Sequence, residues 1–214
     1  MSSINNQQEY WDSVAATKTF THPLDAELVN NYFKKNFRIL DYGSGYGRLT
    51  NEFYTEGFVN ITGVDTSSAL IKRGTGLFPG LNFLHIDEPP ALKSFDNNYD
   101  AVVLFAVLTC IPSNAGQKDL INILSNRLKK GGFLYISDYY LQKDRLEVGE
   151  YGYFNNDLTN YGVFSLPEGA MFRHHTKQWI KELLKDLEIV SEKIIPVKTM
   201  NGHPAEAFQI LVRK

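Results

Sequence analysis

A single cysteine, Cys110, stands in a chain of 214 residues, so no internal disulfide can form and no cysteine zinc site can be assembled. Basic residues are not in excess either: 22 Lys and Arg stand against 24 Asp and Glu. A nucleic-acid surface normally carries a basic stripe, and no nucleic-acid partner is expected. Apolar runs all stop short of the ~20 residues that a membrane span requires. The stretch "MSSINNQQEYWDS" is polar and lacks the basic-then-apolar layout of an export signal. The expectation is a cytoplasmic protein with no membrane partner. Repeats, low-complexity tracts and long linkers are missing too, and residues 1–214 read as one domain.

What is present is an alternation. "FRILDY", "NITGVD", "LNFLHID", "YDAVVLFAV" and "FLYISD" are short apolar runs that read as strands. Between them lie helical patterns: "YGRLTNEFYTEG", "SSALIKRG", and roughly Gly116 to Lys130, which the pair Gly131-Gly132 is expected to end. Strand and helix in turn predict an α/β protein with a parallel sheet covered on both faces. "TKQWIKELLKDL" is a last helix, and "EIVSEKIIPVKTM" and "EAFQILVRK" are two strands joined at "NGHP", an antiparallel hairpin. The sheet is therefore expected to have seven strands. Two segments fall outside the alternation. Residues 1–36 read as an N-terminal helical lid, broken at Pro23. Residues 139–175 read as an aromatic-rich insertion over the active-site end.

The first strand runs into "LDYGSGYG", with Gly43, Gly45 and Gly47 at alternate positions after Asp41. Such a loop, at the carboxyl end of a strand in a doubly wound sheet, is where ligands sit. Glycines permit positive φ and close backbone approach, and the next helix points its N–H groups the same way. Asp65 ends the second strand 24 positions after Asp41, and a carboxylate there suits a ribose diol. The spacing is neither G-x-G-x-x-G nor the Lys-closed phosphate loop. An acid at the loop mouth repels a pyrophosphate and favours a ligand with positive charge, such as a sulfonium bearing an α-amino group.

Taken in order, "LDYGSGYG", "GVDTS", "HID", "YDAVVLFAVL" and "LKKGGFLYISD" resemble the class I S-adenosylmethionine-dependent methyltransferases, from about residue 37 to the end. The resemblance implies a Rossmann-like, seven-stranded, mostly parallel sheet with a C-terminal antiparallel hairpin, and S-adenosylmethionine as cofactor. It implies that Gly43, Gly45 and Gly47 pack under the methionine part, with Asp41, Ser44 and Thr66 in the same set. Asp65 takes the ribose hydroxyls, Ile86 and Asp87 contact the adenine, and Phe105 and Ala106 lie beside the ligand. No Asn/Asp-Pro-Pro-aromatic tetrad or glutamate pair follows the fourth strand, so the small-molecule branch is the closest in kind and the expected partner is a small-molecule acceptor. A non-catalytic ligand-binding or scaffold module is the alternative, and an NAD-dependent oxidoreductase a further one.

A hydroxyl acceptor needs a base, and the histidines are the candidates. His174 and His175, between the insertion and the penultimate helix, are expected to be catalytic; a helix-entry loop with capping histidines is the other reading. His22, Tyr139, Tyr140 and Arg173 are expected on the substrate side, although Arg173 also suits a surface ion pair. Tyr10 and Trp11 suit either a cation–π cover over the donor or anchors for the first helix. No His and carboxylate cluster has ligand spacing, and no metal is expected.

Overall fold

A computed structural model describes residues 7–86 and 98–214. In chain order the first elements are α1 (Gln8–Val14), α2 (Ala26–Tyr32), β1 (Ile39–Tyr42), α3 (Arg48–Thr55), β2 (Ile61–Asp65), α4 (Ser68–Leu77), β3 (Asn82–His85), β4 (Tyr99–Phe105), α5 (Asn114–Arg127) and β5 (Leu128–Tyr139). There follow α6 (Lys143–Glu147), β6 (Gly152–Tyr153), β7 (Tyr161–Ser165), β8 (Met171–Arg173), α7 (Lys177–Leu183), β9 (Glu188–Lys198) and β10 (Pro204–Arg213).

Seven strands join in the order β3-β2-β1-β4-β5-β10-β9. The pairs among β1 to β5 are parallel, and β10 runs antiparallel to both neighbours. This is the Rossmann-like sheet with its C-terminal hairpin. The inner strands are apolar on both sides because both are covered. Ile39, Ala101, Val103 and Tyr135 pack toward Val29, Phe33 and Phe53 of α2 and α3. Their alternate neighbours Leu40, Val102, Leu104 and Ile136 pack toward Leu120, Leu124 and Ile180 of α5 and α7. Helix starts are set by side-chain caps: Asp25, Ser67, Ser113 and Thr176 accept from the backbone N–H three residues on. Among the described residues no helix is long and apolar enough to cross a membrane.

Contrary to the expectation from the sequence, the glycine pair does not end α5. The helix stops at Arg127, and β5 already pairs at Leu128 with Tyr99. The register then shifts, so that Ala101 faces Phe133. Gly131 (φ +77°) takes up this irregularity.

The segment after β5 folds as α6 and a small antiparallel sheet, β6-β7-β8. Tyr151, Phe164 and Phe172 form its core, and Tyr10 and Trp11 of α1 pack against it. Gln7 ties the chain start to this unit, donating from Nε2 to the carbonyls of Cys110 and Met171 and accepting from Met171 N–H. Asp12 binds the other side, accepting from Ser67 Oγ at 2.6 Å and Ala69 N–H at 3.1 Å. The N-terminal segment, the glycine loop and the insertion therefore meet at one end of the sheet.

Below that end sits Gln117, fully buried. Its Nε2 donates to Leu108 O and Ile111 O and meets His175 Nε2, while its Oε1 accepts from Trp179 Nε1. Gln117→Leu strands Ile111 O, His175 Nε2 and Trp179 Nε1 without opening a hole, while Leu108 O keeps its bond from Ile111 N–H. An unfolding titration in urea is expected to show a loss of roughly 2–4 kcal/mol, at about 1–3 kcal/mol for each unpaired buried group with partial relaxation.

Candidate active site

The sheet order reverses between β1 and β4, and a cavity of about 170 Å³ opens beyond their carboxyl ends. Its floor includes Asp41, Gly43 and Ser44, its far wall Thr66 and Ile86, and its near wall Phe105 and Ala106.

The glycine loop is held from behind. Gly43 and Ser44 donate their N–H groups to Val64 O at 2.8 and 3.0 Å. Gly45 N–H donates to Asp65 Oδ2 and Ser67 N–H to Asp65 Oδ1, both at 2.8 Å. One carboxylate thus ties the loop after β1 to the loop after β2. The three glycines have φ of +72°, +57° and +81°. Added Cβ atoms would lie 2.4 Å from Val107 at Gly43, 2.1 Å from Phe20 at Gly45 and 2.1 Å from Phe83 at Gly47. The bareness of the loop is filled first by the protein's own side chains. Only Gly43 of the three faces the cavity; Gly45 and Gly47 lie behind it.

Asp41 is buried and accepts from Thr50 Oγ1 at 2.6 Å. Burial pushes its carboxyl up to about 7, so the anion expected at the loop mouth is half neutralised near neutral pH. Burial also raises Asp65, against the two N–H bonds that favour its charge. At the end of β4, Ala106 has φ +53°, an uncommon angle for a residue with a Cβ. Its N–H donates to Ser137 O at 2.7 Å, which holds it there.

Trp11 lines the cavity and Tyr10 does not. The Tyr10 ring packs edge-on to Trp11 and Phe172, in the insertion core. Phe20 covers the glycine loop, stacked on Tyr46 at 5.2 Å. On the side away from the loop, His22, Tyr139 and His174 line the wall together. The two imidazoles pack on the Tyr139 ring, with centroids at 4.6 and 5.0 Å. Burial lowers His22 to about 3 and takes His174 well below the usual imidazole value.

Three expected site residues point elsewhere. Strand alternation turns Tyr140 away from Tyr139, onto Phe208 and Glu192. His175 is fully buried, bonded through Nδ1 to Tyr139 O and through Nε2 to Gln117, and is lowered to about 3 by burial. Arg173 is neither a substrate clamp nor a surface residue. It is buried, donates to Pro112 O, Tyr161 O and Asn114 Oδ1, and is pushed down to about 10 by burial. Asp87 lies outside the described residues.

Several wall residues carried no signal in the sequence. Phe20 sits two positions before His22 in "FTHP", and Arg48 opens the helix after the loop, so both were within reach of local reading. Thr199, Met200 and Asn201 reach the cavity only because β10 folds back antiparallel along β5, which brings the hairpin tip there.

A family model for a methyltransferase domain matches residues 17–187. No curated protein matches the chain. Among solved structures, an S-adenosylmethionine-dependent methyltransferase from Methanosarcina mazei is 25% identical with TM-score 0.76, over 87% of this chain and 96% of that one. The 1,6-didemethyltoxoflavin-N1-methyltransferase of Burkholderia thailandensis was solved with 1,6-didemethyltoxoflavin and S-adenosylhomocysteine bound. It is 16% identical with TM-score 0.63, over 99% of this chain and 84% of that one. The 4+2 cyclase SpnF shares the fold at 14% identity and TM-score 0.66, over 99% of this chain and 96% of that one.

The buried Asp41 sets a pH dependence. Its carboxyl titrates near 7 in the folded chain against 3.8 as a free side chain. Between these values the folded state holds a proton that the unfolded state has released, so stability is lost as pH rises through the window. Asp41→Asn keeps the Thr50 bond and removes the titration. Its stability relative to the parent is expected to climb from about pH 4 to about pH 7 and then level off, as read from urea midpoints across pH.

Proposed function

The chain belongs to the methyltransferase-domain family, with S-adenosylmethionine as its cofactor, and from that premise we propose that it methylates a small-molecule acceptor. When bound, the cofactor supplies a methyl group on a sulfonium, an electrophile that leaves its electron pair on sulfur. The residues of the cavity fit that group. The Tyr42 hydroxyl and Ser44 Oγ are buried on the donor side without a partner among the described residues, and Leu70, Ile86 and Phe105 offer apolar surface to a purine. Asp65 spends one lone pair of each oxygen on backbone N–H groups, and a carboxylate oxygen has another to give to a diol. Asp41 is poised to ionise beside a cation, since its carboxyl sits near 7.

The observation that carries the acceptor reading is the second half of the cavity, where aromatic side chains and two imidazoles form a wall beyond the donor residues. In-line displacement depends mainly on alignment, worth at most ~7–11 kcal/mol. We assign the histidines to that alignment rather than to strong base catalysis, because buried imidazoles with lowered affinity for protons are weak bases. The Tyr151 hydroxyl accepts from Gln142 N–H at 3.0 Å and lies 2.6 Å from His174 Nδ1. If its own proton goes to Nδ1, the His174 proton sits on Nε2 and His174 is a hydrogen-bond donor. His175 has no part in this reading.

Since the fold also carries a cyclase, retained donor binding without transfer is the competing reading. A calorimetric titration with S-adenosylhomocysteine, with NAD in parallel, is expected to show binding of the first alone. Asp65→Ala frees the Gly45 and Ser67 N–H groups, each costing about 1–3 kcal/mol, and is expected to weaken that binding by more than about 10-fold. Undiminished affinity in this variant counts against the donor site. Binding with no methylated product from any acceptor screened favours the non-catalytic reading.

A further inference from the structure

The chemical class of the acceptor follows from charge and hydrogen-bond accounting around the cavity, resting on the methyl-transfer reading above. Among the described wall residues the only carboxylates are Asp41 and Asp65, both on the glycine-loop side. Each of the two wall guanidiniums has a carboxylate partner, while Arg48 Nε is buried with no partner among the described residues. Arg48 pairs with Glu52 and donates to His22 O. Arg145 pairs with Glu150 and lies over the Phe164 ring at 4.3 Å. Among the described side chains, the Tyr139–Phe164 half offers a charged acceptor no uncommitted counter-ion, and a buried charge left uncompensated by the protein is costly. A flat apolar ring gains from the same surface, at about 25 cal/mol per Å² buried.

The polar atoms of that half are also largely used. Both ends of the Gln7 amide, Thr21 Oγ1, Asn201 Oδ1 and His174 Nδ1 have protein partners. His22 differs. Its side chain is 3% exposed, its Nδ1 meets Ser137 Oγ at 2.8 Å, and its Nε2 is buried with no partner among the described residues. Such an orphan in a cavity wall is a vacancy for one hydrogen bond. In the tautomer that gives Nδ1–H to Ser137, Nε2 presents a lone pair.

We propose that the acceptor is an electroneutral, flat aromatic molecule whose X–H group donates to His22 Nε2 while its ring lies against Tyr139 and Phe164. On transfer, the X lone pair forms the bond to the methyl carbon and the carbon–sulfur pair stays on sulfur. The X–H proton becomes strongly acidic only as X gains the methyl group, and at that stage even a weak base such as His22 Nε2 takes it along the existing hydrogen bond and releases it to solvent. An imidazole held unprotonated by burial is in the right state to receive that hydrogen bond at neutral pH.

The test uses the full chain saturated with S-adenosylhomocysteine, whose binding is measured first so that failure of the donor reading is seen separately. Four probes of one ring system follow by calorimetry: 2-naphthol, 2-naphthoate, 2-naphthylmethylammonium and 2-methoxynaphthalene. 2-Naphthol is expected to bind at least about 10-fold more tightly than the other three, one hydrogen bond or one unpaired charge being worth that factor. In His22→Phe, with donor affinity retained, its advantage over 2-methoxynaphthalene is expected to vanish. Equal or tighter binding of the anion or the cation overturns the proposal, as does absence of 2-naphthol binding to donor-loaded protein. Parity of 2-naphthol with its methyl ether in the parent overturns the role of His22. If His22→Phe fails to fold, the four-probe series on the parent decides alone.

Discussion

One carboxylate holds the functional end of the molecule together. Asp65 accepts from Gly45 N–H with one oxygen and from Ser67 N–H with the other, so two loops that leave adjacent parallel strands share an anchor. The Gly45 bond fixes a loop whose three positive-φ residues have no intrinsic reason to agree on one conformation. The Ser67 bond fixes the cap of α4, and Ser67 in turn bonds Asp12 of α1. The N-terminal cover is therefore connected to the donor loop through a single buried acid.

Around that anchor the site is organised by burial of titratable groups more than by exposed charge. Asp41 and Asp138 both rise to about 7, while His22 and His175 both fall to about 3. In each case desolvation is the leading cause, and the neutral form is the one the fold prefers. A site of this kind offers a permanent sulfonium partners whose ionisation responds to its arrival. Along the wall of His22, Tyr139 and Phe164 it offers hydrogen-bonding groups and ring surface.

The alternation of runs and helices was legible because doubly covered strands are continuously apolar and their helices carry one apolar face. Asp41, Gly43, Asp65, Phe105 and Ala106 could be placed at the cavity because they occupy the carboxyl ends of strands, a position that order along the chain defines. Tyr139 and Tyr140 could not be told apart without the phase of β5, since a shift of one residue exchanges pocket and core. His174 and His175 pose the same problem: one faces the wall of the cavity and the other is bonded to Gln117. Arg173 was misread because a buried guanidinium satisfied by carbonyls leaves no trace in local sequence. The wall residues of the hairpin tip depend on contacts across most of the chain, which no window of neighbours can report.

The Gln7 bonds have a consequence for how the protein assembles. Gln7 and Met171 are separated by 164 positions, so the roof of the cavity joins the beginning of the chain to a segment made far later. Contacts of such separation close a long loop and form only after the local helix and strand pairs have repaid part of that entropy. α1 is a seven-residue helix with no fully buried residue, held besides Gln7 by Asp12 and by the rings of Tyr10 and Trp11. The order of events in folding then has its mirror in the native state. On that ordering the roof is expected to open before the sheet does, and amide exchange in residues 7–14 should outpace that in β1 and β4. An opening confined to these residues uncovers the cavity without breaking a strand pair of the sheet.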